Sequence, residues 1–264
     1  MTAVSAPREP LVEVRDLEVR HGDRQIAAVP SLTLRPAECV AIVGESGSGK
    51  TTTLLALLGL LSKDFRVSGS ASVCGVDMVT AGPKEAATVR GSRIALVMQS
   101  PQGSLNPTMR LGNLMRRALA LHGVTGDAAR ERAADALSSV GLPPGIDRRY
   151  PHQVSGGQAQ RFGIAMAVAL GAEVIAADEP TSALDVTVQA GVLRLLQRLR
   201  DERGLGLLLV SHDLALVSTV ADEVLVMRNG TVVESGPCRS VLTAPENAYT
   251  RELLAAVPTL RSAR

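Results

Sequence analysis

From Leu11 to Arg35 the chain alternates apolar and polar residues: Val12 and Val14 around Glu13, then Leu17 and Val19, then Leu32 and Leu34 around Thr33. This period-two pattern, with turn signals at His21-Gly22-Asp23 and Pro30-Ser31, predicts antiparallel strands. The pattern then changes. Cys39–Val43 is a continuous apolar run of strand length, followed by an apolar helix over Thr52–Leu61. Short apolar strands recur at Arg93–Met98, Val174–Ala177 and Leu207–Val210. The stretch Ser62–Gly91 is looser, with strand-like Ser70–Val73, and Pro101, Gly103 and Pro107 mark a loop. Leu111–Leu121 and Ala128–Val140 read as helices, the second with Asp127 as N-cap and Gly141 just past its end. Helical spacing returns from about Gly157 to Leu170 and over Val186–Arg203, where Val188, Val192, Leu195, Leu196 and Leu199 share one face. Val224–Met227 and Thr231–Val233 flank Asn229-Gly230, a hairpin signal, and Asn247–Val257 forms a short final helix. The sum is an α/β fold: a mainly parallel core sheet, an N-terminal antiparallel β part and a helical insertion.

Composition narrows the possibilities. The 264 residues carry a formal net charge of +2, with two Phe, two Tyr and no Trp. A basic nucleic-acid surface and a base-stacking platform are both disfavoured. Cys39, Cys74 and Cys238 are odd in number and far apart, which reads as buried thiols in a reducing compartment rather than a disulfide or zinc framework. Residues 1–10 hold no apolar signal-peptide core, and the apolar runs fall short of the ~20 residues a membrane span needs. The expected protein is cytosolic, and any work at a membrane goes through another chain.

The chemistry starts at Gly44, Glu45, Ser46, Gly47, Ser48, Gly49, Lys50 and Thr51, which fit the phosphate-loop pattern G-x-x-x-x-G-K-[ST]. Strand, glycine turn and helix start follow in the required order. Backbone N–H groups and a helix N-terminus then converge on phosphate oxygens. Lys50 is expected to reach the β/γ-phosphates and the Thr51 hydroxyl to take a Mg²⁺ position, with Thr52 next in the binding stretch. The alternative is a Gly/Ser-rich turn that matches by chance; only three lysines occur in the chain, Lys50, Lys63 and Lys84, so one at the required place strengthens the functional reading.

Further strands end in polar residues: Met98 runs into Gln99, Ala177 into Asp178-Glu179, and Val210 into Ser211-His212. Parallel sheets bind ligands at the carboxyl ends of their strands, so one site accounts for all of them. Singly, Gln99 also fits an ordinary turn, His212-Asp213 a helix cap, and Asp178-Glu179-Pro180 a capping cluster. As a site, Asp178 holds the metal or its water, Glu179 accepts a proton from the attacking water, Gln99 orients that water or senses the metal, and His212 bonds the γ-phosphate. Ser155-Gly156-Gly157-Gln158 precedes a helix and fits either a plain glycine-rich helix start or a second anion cradle; the cradle suggests two copies sharing a nucleotide.

With these motifs in order, the chain resembles the ATP-binding subunits of ABC transporters from about Leu11 to Val257. Gly44–Thr51 matches Walker A, Gln99 the Q-loop, Val154–Gln158 the signature, and Val174–Asp178 with Glu179 Walker B and its catalytic carboxylate. Ser182–Asp185 matches the D-loop, with Asp185 at the nucleotide interface, and His212 the switch histidine. Gln99–Pro107 and Ala244–Thr250, followed by Leu253-Leu254, resemble the peptide/nickel importer subgroup. The resemblance implies one ATPase domain over residues 8–257, a helical subdomain over about 100–165 and flexible termini 1–7 and 258–264. It also implies ATP and Mg²⁺, two membrane permeases, a second ATPase subunit (the same or different), an indirect solute-binding protein, and a place on the inner face of the cell membrane. Three positions depart from the family pattern. Val154 replaces a leucine, and Ala37 stands where glycine is common. His21 occupies the place of the aromatic that stacks on adenine, and imidazole covers less of the base. An ATPase-like subunit of a carbon–phosphorus lyase assembly and a soluble ABC ATPase are the alternatives. The second usually carries tandem domains or a long coiled coil, whereas Lys50 and Ser155 are 105 positions apart here (155 − 50).

Overall fold

A computed structural model describes residues 9–256 except Ser100 and Ala183. The termini expected to be flexible lie outside this range, as does Val257 at the end of the expected last helix. The elements in order are β1 (Val12–His21), β2 (Arg24–Leu34), β3 (Cys39–Val43), α1 (Lys50–Leu57), β4 (Phe65–Val73), β5 (Val76–Asp77), α2 (Pro83–Val89) and β6 (Ile94–Val97). Then come α3 (Pro101–Ser104), α4 (Leu111–Leu121), α5 (Gly126–Ser139), α6 (Gly156–Leu170), β7 (Val174–Asp178), α7 (Val186–Arg203) and β8 (Gly206–Ser211). The chain closes with α8 (Leu214–Val220), β9 (Glu223–Arg228), β10 (Thr231–Pro237), α9 (Cys238–Thr243) and α10 (Ala248–Ala255).

All ten strands among the described residues join one sheet in the order β5-β4-β1-β2-β10-β9-β3-β8-β7-β6. β9, β3, β8, β7 and β6 run parallel, while β1, β2, β4 and β5 pair antiparallel. The antiparallel strands are continuous with the core, because β10 meets β2 at Thr231 and Ala28. The central strands read as unbroken apolar runs because both faces are covered. Cys39, Ala41 and Val43 join the core beneath α4–α8, while Val40 and Ile42 join the core enclosed by α1, β1, β2 and β4. The same alternation splits Leu207 and Leu209 from Leu208 and Val210 on β8.

Four local expectations change. Pro30-Ser31 is not a turn but lies inside β2. Its missing N–H falls where β1 leaves a gap between the Arg15–Ser31 and Leu17–Val29 pairs. Asp127 does not cap α5: Thr125 is the N-cap residue, and Asp127 sits in the first turn, paired with Arg130 at 2.5 Å. The loose stretch before Gly91 contains α2, which starts with Pro83 in its first turn, a favoured place for proline. The loop after Gln99 contains the short α3.

Candidate active site

The parallel register brings the chosen strand ends to one edge. Val43 pairs with Ser211 on β8, Asp178 with Val210, and Val97 with Ala177. Gly44, His212, Glu179 and the Met98-Gln99 pair therefore leave the sheet side by side. Gly44 has φ +147, and a Cβ there would lie 2.1 Å from the Met227 carbonyl, so only glycine lets the loop turn this close to β9. The loop ends at Gly49, the N-cap of α1, which offers no side-chain acceptor to the first-turn N–H groups. N–H groups without a side-chain cap at a helix start are the donors that an anion site needs.

Lys50 is 6% exposed and folds across the loop, donating to the carbonyls of Gly44 at 2.8 Å and Glu45 at 2.7 Å. Burial pulls its pKa down, opposed by the charges of Glu179, Asp178 and Glu45. The Thr51 hydroxyl donates to Asp178 Oδ1 at 3.2 Å, joining the helix start to the end of β7. Burial pushes the Asp178 carboxyl up, with the charge of Glu179 adding to it, against the Thr51 hydrogen bond and Lys50. A hydroxyl beside a carboxylate is a hard-oxygen pair that suits Mg²⁺, which takes one or two protein oxygens and otherwise uses water and phosphate. Among the described residues no cluster of three or more His, Cys, Asp or Glu is placed to cage a metal unaided.

Glu179 follows with φ +44, a left-handed conformation unusual outside glycine and asparagine. Its N–H donates to the Val210 carbonyl at 2.9 Å, and its own carbonyl accepts from Ser182 N–H at 3.3 Å and from the Ser182 hydroxyl at 3.2 Å. The turn aims the carboxylate at the β8 end, where His212 Nδ1 donates to Oε1 at 2.9 Å. Asp213, next to it, caps α8 by accepting from Leu216 N–H. The capping alternative therefore applies to Asp213, leaving His212 free for the site. Gln99 is exposed beside this row.

The other expected residues lie elsewhere. Ser155 and Gln158 form a capping box at the start of α6, each side chain bonding the other's backbone N–H. A Cβ on Gly156 would meet Leu184 at 3.2 Å, and one on Gly157 would meet Val188 at 2.5 Å, so this cradle packs against α7 and the turn before it. Asp185 caps α7, accepting from Val188 N–H at 2.9 Å. Among the described residues no hydrogen bond joins Ser155–Gln158 or Asp185 to Gly44–Thr52. His21 stands at the tip of the β1–β2 hairpin, 5.0 Å from the ring of Phe65. Sequence reasoning missed Phe65, whose signal lies only in cross-strand register. It also missed Tyr249 and Arg228, which meet the loop from 204 positions away in the first case and through a neighbouring ring in the second.

A glycine loop between strand and helix, with a threonine, two carboxylates and a histidine at adjoining strand ends, defines a P-loop nucleoside triphosphatase. The comparisons sharpen this. The ABC transporter family pattern matches residues 28–182. A putative peptide import ATP-binding protein of Brucella abortus (strain 2308) is 43% identical over 265 residues, spanning 97% of this chain and 80% of the relative. The oligopeptide transport ATP-binding protein OppD of Salmonella typhimurium (strain LT2) is 42% identical over 270 residues, spanning 99% and 81%. Among solved structures, a dimeric ATP-binding cassette in a post-hydrolysis state bound to ADP and Pi superposes with TM-score 0.74 at 26% identity, over 86% of this chain and 99% of that one. The chain belongs to the ABC transporter family, and it is an ATP-binding, ATP-hydrolysing cassette of that family.

Proposed function

We propose that this chain is the ATPase subunit that drives an ABC importer of peptides. The observation that carries the reading is the row Lys50–Thr51–Asp178–Glu179–His212 on one sheet edge of an ABC cassette. The peptide assignment is supported by the names of the relatives, which match over nearly the whole chain. Gly44 to Thr52 bind the triphosphate, with Lys50 supplying positive charge and the α1 N-terminus supplying N–H donors. Thr51 and Asp178 would hold Mg²⁺, with Gln99 at the neighbouring strand end, and the ion would supply charge neutralisation to the phosphates. Glu179 accepts the proton of the attacking water, held in aim by its turn and by His212. His21 and Phe65 offer the base a small aromatic face.

The far side of each nucleotide comes from a second cassette, through Ser155, Gly156, Gly157 and Gln158 with Asp185 nearby. This is supported by the separation of these residues from the loop within one chain, and by the dimeric form of the related cassette. Among the described residues no helix is long and apolar enough to cross a membrane, so coupling requires a permease. A 340 Å³ groove lined by Leu58, Leu60, Met98, Leu105, Met166 and Leu170 suits it. Leu60 is 45% and Met98 50% exposed there, large apolar side chains without cover. An apolar helix of the permease seats in this groove, next to Gln99, at the inner face of the membrane.

Glu179→Gln tests the chemistry. Steady hydrolysis is expected to fall at least ~100-fold while equilibrium ATP binding persists, since the substitution removes the base and leaves the loop. Parent-like turnover in this variant would refute Glu179 as the base. Affinity purification tests the setting: recovery with lyase subunits in place of permeases would overturn the transport reading.

A further inference from the structure

The C-terminal helix reaches back to the phosphate loop. Tyr249, in the first turn of α10, is 2% exposed, and its phenolic oxygen accepts from the Glu45 N–H at 3.2 Å. That N–H belongs to the Gly44–Glu45 peptide, whose carbonyl accepts from the Lys50 ammonium at 2.8 Å. One peptide group is thus gripped at both ends, by Tyr249 on its N–H and by Lys50 on its C=O. Because the group is planar, fixing the direction of one end fixes the other.

Tyr249 is itself held. The Arg228 guanidinium stacks on its ring, 4.5 Å from the centroid. Asn247 caps α10 by accepting from Tyr249 N–H at 2.9 Å and anchors to β10 by donating to the Val233 carbonyl at 3.2 Å. The Glu234 carboxylate on β10 accepts from the N–H groups of Glu246 at 2.8 Å and Asn247 at 3.2 Å. The β9–β10 turn touches the loop directly as well, where Gly230 N–H donates to the Ser48 carbonyl at 3.0 Å. The hairpin and α10 therefore form one brace, and the Tyr249 hydroxyl is its contact with the peptide that places Lys50.

We propose that Tyr249 is a positioning residue for ATP: through the Glu45 N–H it fixes the peptide whose carbonyl sets the ammonium of Lys50. The proposal rests on the reading of Gly44–Thr51 as the ATP site. Without the phenolic oxygen, the Glu45 N–H loses its acceptor and the peptide is held from its carbonyl side alone, so of the two carbonyls that receive the Lys50 ammonium, Gly44 at 2.8 Å and Glu45 at 2.7 Å, the first is no longer fixed. Glu179 and His212 are untouched, so proton transfer survives. The loss falls on binding that is common to ground and transition states, which raises KM and spares kcat.

Tyr249→Phe in the full chain keeps the ring and its stacking and deletes the acceptor alone. KM and Kd for MgATP are expected to rise about five-fold, the worth of one hydrogen bond, with kcat within about two-fold of the parent. Leu253→Ala on the same helix removes a side chain packed on the core but no bond to the loop. It is expected to lower the thermal midpoint without moving KM. An unchanged KM in Tyr249→Phe, or an equal rise in Leu253→Ala, would overturn the proposal. Failure of the unsubstituted chain to bind MgATP would instead overturn the loop reading on which it rests.

Discussion

At the scale of single residues, the site is built from close approaches that admit one residue type each. Gly44→Ala places a methyl 2.1 Å from the Met227 carbonyl, at a φ of +147 that alanine avoids. Backbone cannot yield as a side-chain tip can, so either β9 or the loop must shift. A loss of about 3 kcal/mol or more in unfolding free energy is expected, read by denaturant titration, together with loss of ATP binding. A stability within about 0.5 kcal/mol of the parent would show that the loop relaxes more freely than its contacts imply. The identity of such residues was legible because the motif is local: Gly44, Lys50 and Thr51 fall within eight positions. Tyr249 was not, since nothing near it in sequence announces a hydrogen bond to a residue 204 positions away. Asp185 and Ser155 were legible as positions, and the structure adds that each side chain also caps a helix.

At the scale of elements, the buried parallel strands were legible because an unbroken apolar run is the mark of a strand covered on both faces. α2 escaped notice since its buried residues, Ala86 and Val89, are too few to show a period. The merging of the antiparallel strands with the core was also hidden, because it depends on β10 pairing with β2, a contact without local pattern. The starts of β6 and β7 are joined by Arg93 and Glu173, whose groups meet in a fork at 2.5 and 3.0 Å. The hydrogen bond from Arg93, with its charge, holds the Glu173 carboxyl below its usual value against a weaker pull from burial. A carboxylate lowered in the folded state stabilises fully above its unfolded pKa, near 4.5, and loses that contribution as pH falls through the folded value. Both side chains are about 40% exposed, at 42 and 43%, so screening limits the pair to about 0.5–1 kcal/mol. Glu173→Gln is therefore expected to lower the thermal midpoint by about 2 °C at pH 7 and by less at pH 3. An equal deficit at both pH values would assign the loss to packing instead of charge.

At the scale of the whole molecule, the chain holds the parts of a site without closing it. Lys50, Thr51, Asp178, Glu179 and His212 share one sheet edge, whereas Ser155–Gln158 begin α6 and pack on Val188 and Leu184. Two copies facing head to tail would set each cradle on the other's phosphates, and only ATP carries a γ-phosphate that both halves would grasp. A ligand drives association only by its differential affinity for the associated state, so ATP should assemble the pair and ADP should not. Hydrolysis by the parent hides this, because the bridging phosphate is consumed. In the Glu179→Gln chain it persists, and sedimentation is expected to show a monomer with MgADP and a dimer with MgATP. Ser155→Arg added to that chain sets a cation and bulk where the partner's phosphates must seat. Its loss of the α6 cap costs about 1 kcal/mol, too little to unfold the protein. The double variant should therefore bind MgATP as a monomer does and fail to dimerise. If it dimerises as well as Glu179→Gln alone, the α6 N-terminus is not in the interface; if Glu179→Gln stays monomeric at saturating MgATP, the second half of the site does not come from another copy of this chain.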